Sequence, residues 1–139
     1  MTRTLRSFAH SVCSIHIHLV FVTKYRHPVL DEQMESDIIQ MCRSICEKNR
    51  SYLIEAKADL GKKDHIHLLI DMAPDVSISK LANTMKTVSS REIRKRYEEK
   101  LKPYYWKPVF WKRGYCVVSG GGATLDVIKS YIESQGKDD

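Results

Sequence analysis

Two periodicities alternate along this chain, and their order leaves few folds open. Residues 14–24 repeat in period two, with Ile15, Ile17, Leu19 and Phe21 on one side and His16, His18, Val20 and Val22 on the other. That is the pattern of a strand with two distinct faces. It ends in the basic group Lys24-Tyr25-Arg26-His27, after which Pro28 stops it. Asp31 stands where a helix cap belongs, and Met34, Ile38, Met41, Cys42, Ile45 and Cys46 recur at helical spacing as far as Asn49. Residues 52–60 and 64–70 read as two further strands joined by the turn Gly61-Lys62-Lys63, and Pro74-Asp75 closes the second. A second helix starts at Ser77 or Ser79 and runs from Ile78 to about Lys100, with Leu81, Met85, Val88 and Ile93 toward the core. Beyond a loop at 103–106, residues 109–119 predict a fourth strand and Gly120-Gly121-Gly122 a flexible joint. A short helix from Ala123 or Thr124 to Gln135 follows, capped by Thr124, with Leu125, Ile128 and Ile132 as its docking stripe.

The order βαββαβ plus a terminal helix is that of an α+β, ferredoxin-like split βαβ: an antiparallel sheet with two helices on one face. The other face is left for a ligand or partner. The chain then reads as one domain over its 139 residues. Residues 1–12 form a basic arm with Arg3 and Arg6, 13–119 the core, 120–122 the hinge and 123–135 the last helix.

Composition narrows the setting. Hydrophobic residues make up 42% of the chain, enough for a packed core and too many for a disordered segment. No apolar run approaches the roughly 20 residues of a membrane helix, and the first ten residues contain no apolar signal region. A cytoplasmic protein without membrane contact is expected. Cys13, Cys42, Cys46 and Cys116 make no C-x-x-C pair, and Cys42 with Cys46 on one helical face read as reduced, packed thiols. The net charge of +6 suits a polyanionic partner such as nucleic acid.

Chemistry concentrates in two places. On the strand Asp64-His65-Ile66-His67-Leu68-Leu69-Ile70, His65 and His67 point the same way, about 7 Å apart along the strand. They are either a half-buried pair or half of a divalent-metal site. In the last helix, Tyr131 and Gln135 stand one turn apart. A carboxamide oxygen is a neutral ligand and a phenol oxygen a nucleophile, and a nearby cation would favour the phenolate. His16-Ile17-His18 repeats the histidine spacing on the first strand, which such a sheet places beside the third; a structural or DNA-contacting role is expected for these two. Asp64 and Asp71 flank the histidine strand as salt-bridging acids or as orienting partners of a metal site. Lys24, Arg26, Lys86, Arg91 and Arg94 are candidates for phosphate contacts, against the plain alternative of a solvated helix face. Trp106, Trp111 and Tyr115 are either core residues or platforms for unpaired bases.

These stretches resemble one family along nearly the whole chain. His65-Ile66-His67 resembles the HUH motif, and Tyr131-Ile132-Glu133-Ser134-Gln135 resembles the tyrosine helix of the single-tyrosine HUH transposases of small insertion sequences, the IS200-like type. The segment from His18 to Arg26, Ser89-Ser90-Arg91 and Phe110-Trp111-Lys112-Arg113-Gly114-Tyr115 are similar to other stretches of that family. The resemblance implies a ferredoxin-like fold and cleavage and rejoining of single-stranded DNA through a 5′-phosphotyrosine. It implies Tyr131 as nucleophile, His65, His67 and Gln135 as ligands of Mg2+ or Mn2+, and hairpins at element ends as the DNA. It further implies a homodimer whose tyrosine helix can complete the partner's site, the triple glycine permitting the swing. The other readings are a domesticated palindrome-processing or replication-initiating relative, and a nucleic-acid-binding module without catalysis.

Overall fold

Within residues 5–120 and 124–137, which the computed structural model describes, two short strands come first, β1 (Arg6–Phe8) and β2 (Ser11–Cys13). Then follow β3 (His16–Val22), a 3-10 turn at Lys24–Arg26, α1 (Glu32–Lys48), β4 (Tyr52–Ala58) and β5 (His65–Asp71). The chain continues through α2 (Ile78–Arg96), a single turn α3 (Glu98–Leu101), β6 (Cys116–Ser119) and α4 (Thr124–Ser134). Four strands make one sheet in the order β4-β5-β3-β6, every neighbouring pair antiparallel. This is the ferredoxin-like arrangement, with β3 and β5 in the middle.

The alternation read from sequence sorts the two faces. Ile17, Leu19 and Phe21 of β3 and Ile66, Leu68 and Ile70 of β5 enter the main core with Met34, Ile38 and Cys42 of α1 and Leu81, Met85 and Ile93 of α2. Asp31 caps α1 as expected, its Oδ1 accepting from Met34 N at 2.9 Å, and Ser77 caps α2 through Lys80 N. Phe21 is fully buried at the centre, with Trp111 5.6 Å away ring to ring. Phe21→Ala is therefore expected to lower unfolding stability by about 3–5 kcal/mol, read from urea midpoints at unchanged slope. A loss under about 1 kcal/mol would mean that this strand is not the core.

Three expectations are corrected. The segment from Arg6 to Cys13 is a hairpin, not an arm: Arg6 pairs with Cys13 and Phe8 with Ser11, leaving Ala9 and His10 as the turn. Ala9 takes a left-handed φ of 54°, a conformation usually signalled by Gly or Asn, so the turn had no sequence mark. Arg6 fastens the hairpin down. Its guanidinium lies 4.8 Å from the Phe8 ring and 4.6 Å from the Tyr52 ring, and its Nε is 3.1 Å from Asp71 Oδ2.

The predicted strand over 109–119 survives only as β6, with one isolated bridge from Trp111 to Thr23. Upstream of β6 the backbone dips into the core instead. Phe110 and Trp111 are buried, Trp111 Nε1 donates to Ser89 Oγ, and Gly114 turns the chain at φ +74°. In α4 the docking stripe is Ile128, Tyr131 and Ile132, while Leu125 is 71% exposed. Two of the hinge glycines, Gly121 and Gly122, lie outside the described residues, as does the side chain of the expected cap Thr124. No described helix is long and apolar enough to cross a membrane.

Candidate nucleic-acid-processing site

The face turned away from α1 and α2 is where the chemistry-bearing residues gather. Because β5 alternates, burying Ile66, Leu68 and Ile70 leaves His65 and His67 on this open face. Register then fixes their neighbours: Val22 stands opposite His65, Val20 opposite His67, and His18 opposite Leu69. The outer side of Val20 is paired with Cys116 of β6. Across the sheet, one row therefore runs Lys57, His67, Val20, Cys116.

The same face receives α4. Ile128 is buried against Val20 and Val22, and Tyr131, Ile132, Cys116 and Val118 pack around them. Tyr131 thus lies within its own chain over the strand next to His67. Burial, together with the neighbouring Cys116 thiol, holds the Tyr131 phenol above its ordinary pKa, so this position stores it protonated.

The end of α4 is strapped to the histidine strand. Arg26 donates through Nε to Asp64 Oδ2 at 3.1 Å and through Nη1 to the carbonyl of Gln135 at 2.9 Å. Lys112 Nζ donates to the carbonyl of Gly136 at 2.8 Å. The sequence placed Gln135 inside the helix, whereas α4 ends at Ser134. Gln135 meets the strap with its backbone, and its side-chain Nε2 lies 3.4 Å from Ser134 Oγ. Arg26→Gln should free the end of α4 and raise amide exchange over 124–134 at least ~10-fold while leaving β3 and β5 protected. Unchanged exchange would show that the strap does not hold the helix.

His65 is already oriented as a ligand would be. A carboxylate only accepts, so His65 Nδ1–H donates to Asp64 Oδ1 at 2.9 Å, and Nε2 faces Asp59 Oδ2 at 3.8 Å. Asp59 is itself fixed by the turn, its Oδ1 accepting from the amides of Gly61 and Lys62, and these contacts keep its carboxyl below the usual range despite partial burial. His65, His67, Asp59, Lys57 and Gly61 line a shallow cleft of about 490 Å³. His67 Nε2 lies 2.8 Å from His18 Nδ1, the two rings 4.9 Å apart and 30° from parallel. Burial, then the His18 neighbour, lowers the His67 pKa and keeps this imidazole neutral at neutral pH.

Two imidazoles, one braced by a carboxylate, are a donor set suited to a divalent cation. They do not close a cage: among the described residues, no three His, Cys, Asp or Glu side chains converge as a metal site. Further ligands would have to be amide, water or substrate oxygens.

The other candidates divide. Lys86 is taken up by the carbonyls of Lys112 and Gly114, at 2.7 Å each, and holds that loop rather than facing outward. Arg94 Nε donates to Ser90 on its own helix, while Arg91 is exposed. Lys24 lies 5.4 Å from the Tyr25 ring centroid. Trp111 is core, whereas Trp106 is 73% exposed beside Lys107. His16 is buried against Asp71, the structural one of the two roles considered for it. Sequence reasoning passed over Asp59 and Lys112. The Asp59-x-Gly61 turn could have signalled the first, and nothing local signalled the second.

A ferredoxin-like sheet with a histidine pair on its open face, and a tyrosine helix laid on that face, defines the structural class. The comparisons show the family. Residues 11–135 match the family described as "Transposase IS200 like", and the chain belongs to that family. It is 30% identical over 124 residues to the ISDra2 transposase TnpA of Deinococcus radiodurans, covering 89% of this chain and 86% of that one. It is 31% identical over 134 residues to the transposase for insertion sequence element IS200 of Salmonella typhimurium, covering 96% and 85%. A crystal structure of a Deinococcus radiodurans protein described as a transposase superposes with a TM-score of 0.82 at 27% identity, over 94% of this chain and 98% of that one. A REP-associated tyrosine transposase bound to a REP hairpin shares the fold, with a TM-score of 0.57 at 8% identity, over 89% and 67%.

Proposed function

We propose that this protein is a metal-dependent transposase that cuts and rejoins single-stranded DNA at hairpin-marked element ends through Tyr131. The observation that carries this reading is the placement of α4: the sheet face that presents His65 and His67 is the face on which Tyr131 is seated. In the reaction, Tyr131 Oη attacks the scissile phosphorus. The P–O3′ bond breaks, a free 3′-hydroxyl leaves, and the 5′ end stays as a phosphotyrosine. The phenol proton ends on the departing 3′ oxygen or on solvent. The phosphodiester energy is kept in the new link, so a second 3′-hydroxyl can reverse the step on another strand without ATP.

Within this scheme the chain's own groups have distinct tasks. Asp64 fixes the tautomer and direction of His65, and Arg26 ties the end of α4 to the same carboxylate. Held above its ordinary pKa, the phenol is a poor nucleophile until its proton is removed. His65, His67 and the Gln135 carboxamide would hold Mg2+ or Mn2+, which would favour the phenolate and neutralise charge on the phosphate. In a homodimer α4 could serve the partner's histidines instead of its own; release of the Arg26 strap is the local step that exchange needs. Exposed cations such as Arg91 supply phosphate contacts along the flank.

The test is direct. The protein is incubated with a labelled single strand carrying a hairpin and a short flank, with Mn2+ present, and run on a denaturing gel. A labelled band at the mass of protein plus DNA is expected. Tight hairpin binding without any such band, across a panel of flanks, would leave only a binding module.

A further inference from the structure

Trp106 stands outside the scheme above, and its setting is not that of a packing residue. Its indole is 73% exposed, whereas Trp111 is buried. The ring lines a groove of about 520 Å³ at the end of α2, beside α3 and the loop that follows it. Pockets that take small ligands span roughly 300–1,000 Å³. The lining is apolar at Tyr105 and Pro108 and cationic at Arg94, Lys102 and Lys107, against one acid, Glu98. Among the described residues none of these three cations is in an ion pair, whereas Arg96 and Lys100, near them in sequence, both are. Lys107 Nζ lies 5.5 Å from the Trp106 ring centroid and 5.8 Å from that of Tyr25. The larger groove beside the β1–β2 hairpin lacks this excess of charge, since its Arg6 and Arg50 are paired with Asp71 and Asp75.

The groove is also tied to the candidate site. Tyr105 Oη donates to the Lys24 carbonyl at 2.8 Å, and Lys24 N donates to the Phe110 carbonyl at 2.8 Å. Arg26, in the same turn, holds the end of α4. The turn over Lys24–Arg26 thus joins the groove to the elements that carry His65 and Tyr131.

We propose that this groove docks an unpaired base of single-stranded DNA, stacked on Trp106, with Arg94, Lys102 and Lys107 taking the flanking phosphates. This rests on the reading that the substrate is single-stranded DNA, and it names where that strand is gripped away from the reacting centre. An exposed indole offers a face on which any base can stack, and the cations beside it neutralise the backbone that the base brings. A duplex cannot use the groove, because its bases are stacked on one another. A second copy of this chain, itself at +6, would bring no excess of acid to these cations.

The test measures binding, not cleavage, with two probes: a hairpin carrying an unpaired flank, and a blunt duplex with the same number of phosphates. Trp106→Ala should weaken binding of the flanked hairpin at least ~10-fold and of the duplex less than about 3-fold, and Trp106→Phe, which keeps a flat ring, should stay within about 3-fold of wild type on both. Lys102→Gln with Lys107→Gln should lower the slope of log affinity against log salt by about 1.4 on the flanked hairpin, two single-strand contacts at about 0.7 each. In the wild type, acrylamide quenching of the exposed indole should fall at least ~2-fold when the flanked hairpin is added and not when the duplex is. Wild-type affinity in Trp106→Ala, equal losses on both probes, or an unchanged salt slope would overturn the proposal and leave the chemistry of Tyr131 standing. Loss of a dimer in Trp106→Ala with DNA affinity unchanged would overturn it too, marking the groove as a contact between copies. If the wild type binds the flanked hairpin no better than the duplex, the reading of the substrate fails first, and this proposal with it.

Discussion

Tyr131→Phe is expected to abolish the covalent protein–DNA band and to lower strand cleavage at least ~1,000-fold, because the substitution removes the attacking oxygen and leaves a ring without a nucleophile. The substitution removes one oxygen from a half-buried ring that packs with Ile128 and Ile132 against Val20. Fold stability and hairpin affinity should therefore stay within about 1 kcal/mol and about 3-fold of wild type, respectively. Loss of cleavage with retained binding separates a chemical role from a packing one. A variant that still forms the adduct would place the nucleophile elsewhere.

The second large effect concerns the cation. His65→Ala with His67→Ala should reduce cleavage at least ~100-fold and remove its dependence on added Mn2+, with hairpin binding preserved. Chelation of the wild-type protein should give the same phenotype reversibly. The structural cost is expected to be small: both rings lie on the open face, the His65 partners Asp64 and Asp59 keep other contacts, Asp64 with Arg26 and Asp59 with turn amides, and His67 gives up its contact with His18. A double variant that still cleaves in a metal-dependent way would dismiss the pair as ligands.

Much of this architecture was legible because its causes are local. Period-two alternation in residues 17–22 and 65–70 decides which side chains enter the main core, and the structure follows it from Ile17 onward, whereas Ile15, expected on the same face, is 37% exposed ahead of the strand. Asp31 caps its helix because a short carboxylate at that point reaches an unpaired amide. What was not legible depends on tertiary packing. The hairpin at Arg6–Cys13 exists because Arg6, already against Phe8 of its own strand, finds Asp71 and Tyr52 from elsewhere in the fold. The segment ahead of β6 has a strand's composition, yet Phe110 and Trp111 are drawn inward, where Ser89 waits for the indole N–H.

The candidate site shows the same division. The spacing of His65 and His67 is a local fact, and so is the position of Tyr131 on its helix. That both fall on one sheet face follows from Ile128 choosing Val20 and Val22 as its bed, which no single segment announces. The His18–His67 contact needs the register of β3 against β5, and the Arg26 strap needs a turn with left-handed φ at Tyr25 and Arg26.

The central claim is that one phenol oxygen carries the DNA. Peptide mapping of the adduct by mass spectrometry, after nuclease trimming to a single nucleotide, tests it most directly. The added mass should fall on Tyr131, in the peptide containing Ile132 and Glu133. A nucleotide mapped to another tyrosine, such as Tyr115 or Tyr105, or to a serine, would contradict the account.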